Sequence, residues 1–163
     1  MINKIILTVF ILLALPAGFY WYNYQHNQIS LPFNCLYSTD YTFKDKGDIQ
    51  TIHLKQDLII RSANHAYFLL NGTAETSGKT YKINRTVLLD KGEVEHGSET
   101  IFRYTVNSVN KKADDDLPAD IFDNLMSEYT LSSDVFELHV YPQGRETYLL
   151  GGTFSYLSVC LRE

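Results

Sequence analysis

Five histidines are the side chains of this sequence that can change charge near neutral pH: His26, His53, His65, His96 and His139. Because a histidine normally titrates between pH 5 and 8, these residues are candidate acid sensors. Two of them have carboxylates close by in the sequence. His139 shares a strand face with Glu137, and His96 follows Glu93 and Glu95, so these glutamates are candidate partners. The alternative is that all five are ordinary surface histidines.

The charge balance favours a response to acid over contact with nucleic acid. The chain has 19 Asp and Glu against 14 Lys and Arg, which gives a formal net charge of −5 with neutral histidines. Protonation of the histidines would remove most of this negative charge before the carboxylates titrate. No cluster of Lys and Arg is present, so we expect no direct binding to nucleic acid.

Motifs for catalysis, metal binding or cofactor binding are missing. No two histidines stand at ligand spacing within one element, so we expect no metal and no cofactor. The sequence has no GxSxG, HExxH, P-loop or GxGxxG pattern. Since no nucleophile and base can be paired, an enzyme is the least favoured class. The acidic run Asp114 to Asp116 is typical of a solvated loop, with a weak cation site as the alternative.

The sequence contains two cysteines, Cys35 and Cys160. In an oxidising compartment, such a pair predicts a disulfide that ties the last strand to the first. Closing so long a loop stabilises by roughly 4–5 kcal/mol in the chain-entropy model. Two buried free thiols are the alternative.

An apolar segment near the start predicts where the rest of the chain works. Residues 5–24 carry no charge and end in an aromatic cluster, as expected for a single transmembrane helix. We therefore predict a cytoplasmic tip at 1–4, an anchor at 5–24, a stalk at 25–33 and an outer domain at 34–163. A cleaved signal peptide is the alternative, because Lys4 and the small residues before Gly18 fit that pattern as well.

The outer domain has the pattern of a mainly β (α+β) fold. Its strand-like stretches, separated by turn signals such as Asp45 to Asp48 and Asn71-Gly72, are Leu36 to Phe43, Gln50 to Ile60, His65 to Asn71, Lys79 to Leu89, Ile101 to Val109, Val135 to Tyr141, Glu146 to Leu150 and Thr153 to Leu161. Short strands joined by tight turns predict an antiparallel sheet or barrel with one helix packed on it.

One helix is predicted after the acidic run. Asp116 would cap it and Pro118 suits its first turn. Its apolar face pairs residues four apart: Ile121 with Leu125, and Phe122 with Met126.

Four aromatic residues on the strands allow two interpretations: Tyr67, Phe68, Phe102 and Tyr104. They would line a cleft for a small apolar ligand, or they would simply fill the core.

The closing stretch FELHVYPQGRETYLLGGTFSYLSVC at 136–160, together with the anchor and Cys35, gives the chain a family likeness. It resembles the FidL-like inner-membrane proteins, and more closely the PsaF/MyfF accessory proteins of fimbrial adhesin regulation. The resemblance covers essentially the whole chain. It implies a location in the bacterial inner membrane, with the N-terminus cytoplasmic and the main domain periplasmic.

The resemblance also implies a partner and a function. Proteins of this type bind and stabilise the periplasmic domain of a single-pass ToxR-like transcription regulator, and so help to couple acidic pH or temperature to adhesin gene expression. Related proteins are similar to lipocalin-like barrels, and some such pairs bind bile salts. A lipocalin-like binding module for an apolar ligand, such as a bile salt or a fatty acid, is therefore the second hypothesis.

Overall fold

The computed structural model describes residues 13–18, 21, 29, 31–45, 48–96, 100–132, 134–144, 146–152 and 156–162. The predicted cytoplasmic tip, most of the predicted anchor and stalk, and His26 lie outside the described residues. Residues 13–18 and Trp21 are helical. Within the described residues, none of the helices has both the length and the apolar character that a membrane crossing requires. The transmembrane anchor therefore stays a prediction.

The described part of the outer domain consists of strands and one short helix. The strands are β1 (Phe33–Asp45), β2 (Asp48–Ser62), β3 (His65–Thr76), β4 (Lys79–His96), β5 (Thr100–Lys111), β6 (Thr130–Ser132), β7 (Val135–Pro142), β8 (Thr147–Gly151) and β9 (Tyr156–Arg162). The helix α1 (Ala119–Met126) lies between β5 and β6.

Eight of these strands form a closed antiparallel barrel. They follow the order β5-β4-β3-β2-β1-β9-β8-β7, and an additional pairing of β5 with β7 closes the circle. The short strand β6 pairs with the start of β7. The prediction of a mainly β fold is thus confirmed. Of the two predicted architectures, an open sheet and a barrel, the structure shows the barrel. This fold is compatible with a lipocalin-like module.

Alternation of side chains along each strand explains the core. On β3, Ala66, Phe68 and Leu70 are buried, whereas the residues between them are only half-buried. Successive side chains of a strand point to opposite faces, so each strand contributes one inward set. Inward residues from all eight barrel strands, the buried face of α1 and Ile29 form a single apolar cluster.

The predicted turn at Asn71-Gly72 is wrong, because β3 runs straight through it. Gly72 lies opposite Leu54 of β2. A Cβ at this position would meet the backbone oxygen of His53 at 2.0 Å, so the glycine permits a close approach of two strands. The chain turns later, at Ser77 and Gly78, where φ is +49° and +74°.

The predicted helix is confirmed, but its predicted cap is wrong. All four residues of the expected apolar face are buried. Pro118 occupies the N-cap position, and no side chain caps the helix. The carboxylate of Asp116 accepts a hydrogen bond from the backbone N–H of Lys82 at 2.6 Å, so it ties the loop to β4.

Candidate functional site

Two exposed histidines pair with carboxylates across neighbouring strands. Nδ1 of His53 lies 2.7 Å from a carboxylate oxygen of Asp40, and Nδ1 of His65 lies 2.6 Å from one of Asp90. Each pair occupies directly opposed positions of the antiparallel ladder. The hydrogen bond with His65 is the largest factor that lowers the pKa of Asp90. Sequence reasoning missed both aspartates, because only the strand register brings them to the histidines.

A third histidine joins a chain of charged groups on the outer face of the barrel. Nε2 of His139 lies 2.9 Å from Oε1 of Glu137, as the sequence predicted. The other oxygen of Glu137 accepts a hydrogen bond from Nε of Arg103 at 2.5 Å. Arg103 also donates to Glu95 at 3.0 Å, and the hydroxyl of Tyr141 lies 3.5 Å from Nδ1 of His139. The chain thus crosses three adjacent strands, β4, β5 and β7.

Glu137 is the buried member of this chain, with only 5% of its surface exposed. Burial alone would raise its pKa, but the hydrogen bonds from His139 and Arg103 outweigh burial and lower the pKa. Glu137 therefore stays ionised at mildly acidic pH. Glu137 thus lies between two basic side chains, His139 and Arg103.

The other predicted pair does not form among the described residues. His96 is exposed, and no described hydrogen bond or ion pair joins it to Glu93 or Glu95. Glu95 contacts Arg103 instead, and Glu93 lies opposite Arg103 in the register of β4 and β5. The structure therefore brings together one of the two predicted histidine–glutamate pairs.

Cys35 and Cys160 form a disulfide, with their Cα atoms 5.7 Å apart. Cys35 belongs to β1 and Cys160 to β9, the first and the last strand, which pair with each other. The predicted bond is confirmed, together with its predicted role of tying the last strand to the first.

The acidic run is not simply a solvated loop, because Asp115 is buried. Arg85 lies on the inward face of β4, and its guanidinium donates to both carboxylate oxygens of Asp115, at 2.9 and 3.0 Å. It also donates to the carbonyl of Leu117 at 2.6 Å and lies 4.2 Å from the ring of Phe122. Burial raises the pKa of Asp115, but hydrogen bonds from Arg85 and from the backbone of Asn84 outweigh burial, so the pKa is lowered overall. The sequence signal that could have found this pair is Arg85, because an arginine at an inward strand position needs a buried counter-ion.

Tyr129, which follows α1, inserts its ring into the barrel interior. Its hydroxyl donates to Oε1 of Gln56 at 2.5 Å. It also lies 2.5 Å from the hydroxyl of Tyr41 and 3.3 Å from that of Tyr37. Burial raises the pKa of all three tyrosines, so the hydroxyls stay neutral. We call residues 112–129 the plug, since Asp115 fastens them to β4 and Tyr129 fastens them to β1 and β2.

Comparison with known proteins assigns the family. The model of a family described as "FidL-like putative membrane protein" matches residues 72–160, more than half of the 163-residue chain. The chain belongs to the FidL-like family. The matched range holds the plug and the His139–Glu137 pair. The family description accords with the predicted anchor, although the topology of this FidL-like chain stays a prediction. No curated protein and no solved structure gave a significant match.

Three of the four aromatic residues proposed to line a ligand cleft fill the core of this FidL-like barrel. Phe68 packs edge-on against Tyr129, with ring centroids 4.9 Å apart. Phe102 is fully buried, and the hydroxyl of Tyr104 donates to the carbonyl of Ser62 at 3.2 Å. Tyr67 points outward instead and lies under the guanidinium of Arg61.

A separate cavity lies between β5 and α1. Its volume is about 330 Å³, and its lining residues are Val106, Val109, Phe122, Asp123, Met126 and Thr130. Small-molecule sites usually measure roughly 300–1,000 Å³ and are mostly apolar, so this groove fits the lower end of that range. Among the described residues, no cluster of three or more His, Cys, Asp or Glu side chains is arranged to hold a metal ion.

Proposed function

We propose that this FidL-like protein is a non-enzymatic accessory subunit in the bacterial inner membrane. It binds and stabilises the periplasmic domain of a single-pass, ToxR-like transcription regulator, and it helps to couple acidic pH or temperature to fimbrial adhesin gene expression. The observation that carries the proposal is the set of outer-face histidine–carboxylate pairs, above all His139 with Glu137. These groups change charge on the surface that a partner would contact.

Stabilisation needs no chemistry beyond selective binding. A subunit that binds the folded regulator, but not the unfolded one, shifts the folding equilibrium by mass action. Two proteins anchored in one membrane also meet at a high effective concentration, so modest affinity suffices. A barrel with a packed core and a disulfide-closed seam offers the rigid surface that such binding requires.

Acid acts on this surface through His139. Nε2 of the imidazole lies 2.9 Å from the carboxylate of Glu137. Protonation turns this contact into an ion pair and adds positive charge to an acidic domain. A partner surface that faces His139 would therefore be bound with a different affinity at low and at neutral pH.

In-cell crosslinking at native expression, followed by mass spectrometry, tests the proposal. We expect to recover a single-pass protein with a cytoplasmic DNA-binding domain, in a yield that differs between about pH 5.5 and 7.5. His139→Gln should flatten this difference. The matched control is His96→Gln, which replaces an exposed histidine outside the charged chain. Recovery of no such regulator, or of envelope-assembly proteins alone, would contradict the proposal.

A second candidate function follows from the groove between β5 and α1. Its apolar lining supports a binding module for an apolar ligand such as a bile salt or a fatty acid. Titration of the full-length protein in nanodiscs with deoxycholate or oleate, against empty nanodiscs, tests this reading. Val109→Trp should fill the groove and abolish binding, whereas Ile49→Trp, also on an exposed strand position, should not. Equal binding by both variants would exclude the groove.

A further inference from the structure

Four aliphatic side chains form a continuous patch on the outside of the barrel. Val159 and Leu161 of β9 are 57% and 63% exposed. Leu161 lies opposite Leu36 of β1, and Val159 lies opposite Leu149 of β8. Both of these neighbours are half-buried, at outward positions of their strands. The outward positions of a strand are normally polar, so this cluster of four aliphatic residues departs from the expected pattern. We call it the seam patch.

The disulfide lies directly behind the seam patch and fixes its shape. Cys160 is the inward residue between Val159 and Leu161, and Cys35 precedes Leu36. β9 pairs with β8 from Tyr156 to Leu161, and it pairs with β1 at Leu161 and Arg162. At Leu161 both edges are occupied, so a partner there packs face to face on these side chains. A rigid surface loses little entropy when it binds.

A polar border continues from the patch onto β7. Tyr141 lies opposite Leu149, and His139 is the next outward residue on the same strand. From there the chain through Glu137 and Arg103 leads to β5. An apolar centre with a polar rim is the usual composition of a protein–protein interface.

The position of the patch favours a partner held in the same membrane. β1 begins at Phe33, only three positions before Leu36. The predicted stalk at 25–33 spans at most roughly 30 Å, even when fully extended. The seam patch therefore stays near the membrane side of the barrel, within reach of another anchored protein's outer domain.

The size and the charge of the surface indicate which partner it fits. Four aliphatic side chains expose a few hundred Å² at most, whereas a stable complex of free proteins buries roughly 800 Å² on each side. Confinement to one membrane compensates for this small area. Two copies of this chain each carry a net charge of −5, so the two molecules repel each other. A partner with basic residues around an apolar centre has complementary charge.

We propose that the seam patch is the docking surface for the outer domain of the regulator, which presents an apolar face bordered by Lys and Arg. This inference rests on the proposed function and adds the place and the chemistry of contact. His139 lies at the rim of the same surface, so its protonation acts on the contact directly.

Site-specific photocrosslinking in intact cells tests the location. A photoreactive amino acid is placed at Val159 or Leu161 of the full-length chain, with Ile49 as the matched control. Ile49 is an outward aliphatic residue of β2 with the same 57% exposure as Val159. We expect adducts with the regulator at 159 and 161 in about tenfold higher yield than at 49.

Every other outcome overturns the inference. Adducts with a second copy of this chain, or with phospholipid alone, would assign the patch to another occupant. Recovery of the regulator only by a general crosslinker would place docking elsewhere and leave the proposed function standing. Failure to recover it by either method would remove the proposed function as well.

Charge variants test the chemistry of the partner. Leu161→Glu and Leu161→Lys both place a charge in the apolar centre, on a side chain that is already mostly exposed. Co-purification of the regulator should fall about tenfold with Leu161→Glu and further with Leu161→Lys, because the lysine meets the basic border. Ile49→Lys should leave it unchanged, and unaltered circular dichroism spectra would verify folding. A larger loss with Leu161→Glu than with Leu161→Lys would exclude a basic border.

Discussion

The seam and the plug hold the barrel together by different means. At the seam, the covalent bond between Cys35 and Cys160 joins the first strand to the last. At the plug, the Arg85–Asp115 ion pair and the hydroxyl of Tyr129 fasten a loop and a helix to the barrel. The polar contacts of Asp115 and Tyr129 with the barrel are buried, whereas the seam has exposed aliphatic residues outside. We infer that the buried contacts stabilise the domain, and we propose the outer face near the seam as the surface for binding.

The largest effect on stability is expected at the seam. Replacing both cysteines, Cys35→Ser with Cys160→Ser, opens a loop of 125 residues, so the unfolding free energy should fall by roughly 4–5 kcal/mol. Denaturant unfolding of the full-length protein in detergent, followed by far-ultraviolet circular dichroism, measures this loss. The one tryptophan, Trp21, precedes the barrel and would not report on it. Reduction of the wild type should reproduce the loss, and a change below about 1 kcal/mol would contradict the prediction.

Breaking the ion pair of the plug should cost nearly as much. Asp115→Ala leaves the guanidinium of Arg85 buried without its counter-ion, which should destabilise by about 3–5 kcal/mol in the same assay. The double variant Arg85→Met with Asp115→Leu should recover most of this loss, since it removes both charges. Asp114→Ala is the matched control, because Asp114 pairs with Lys82 in solvent. Equal losses for Asp114→Ala and Asp115→Ala would contradict the assignment.

The hydroxyl of Tyr129 should contribute less than the ion pair. Tyr129→Phe removes the donor to Gln56 and leaves buried polar atoms unsatisfied, at a cost of about 1–3 kcal/mol. Tyr67→Phe, at a half-buried outward position, is the matched control and should change stability little. If Tyr129→Phe and Tyr67→Phe lower the unfolding free energy by the same amount, the hydroxyl cluster does not hold the plug in place.

The smallest expected effect on the unfolding free energy is its dependence on acid through the carboxylate of Glu137. The folded state lowers the pKa of Glu137 below its ordinary value of 4.5. The contribution of Glu137 to the unfolding free energy is therefore complete above pH 4.5, and it is lost as the pH falls through the lowered pKa. Glu137→Gln should cost about 1 kcal/mol at neutral pH and weaken the acid-induced loss measured in urea. We propose that His139→Gln removes the change of partner binding between pH 5.5 and 7.5, which in-cell crosslinking at both pH values would measure.

Local patterns predicted much of the barrel. Alternation located the strands, four-residue spacing located the buried face of α1, and the two cysteines predicted the disulfide. Closure of the barrel was not predictable in the same way, because β5 pairs with β7 only after the chain has passed through the plug. Non-local pairing leaves no periodic signal in either strand.

The missed features also depend on long-range contacts. In the sequence, Asp115 stands in an acidic run that is typical of solvated residues. Only the inward position of Arg85 on β4 indicates that Asp115 is buried. Asp40 and Asp90 reach their histidines through the register of adjacent strands. The glycine of Asn71-Gly72 signalled a turn, whereas it serves a close approach between strands. In each case, tertiary packing overrides the meaning of a local pattern.

The lifetime of the regulator in cells tests the central claim most directly. A pulse-chase measurement would follow the regulator in four strains, which express the wild-type chain, Leu161→Lys, Ile49→Lys, or no chain. We expect a lifetime several times shorter without the chain, a similar loss with Leu161→Lys, and a full lifetime with Ile49→Lys. An equal lifetime in the presence and absence of this protein would contradict the account.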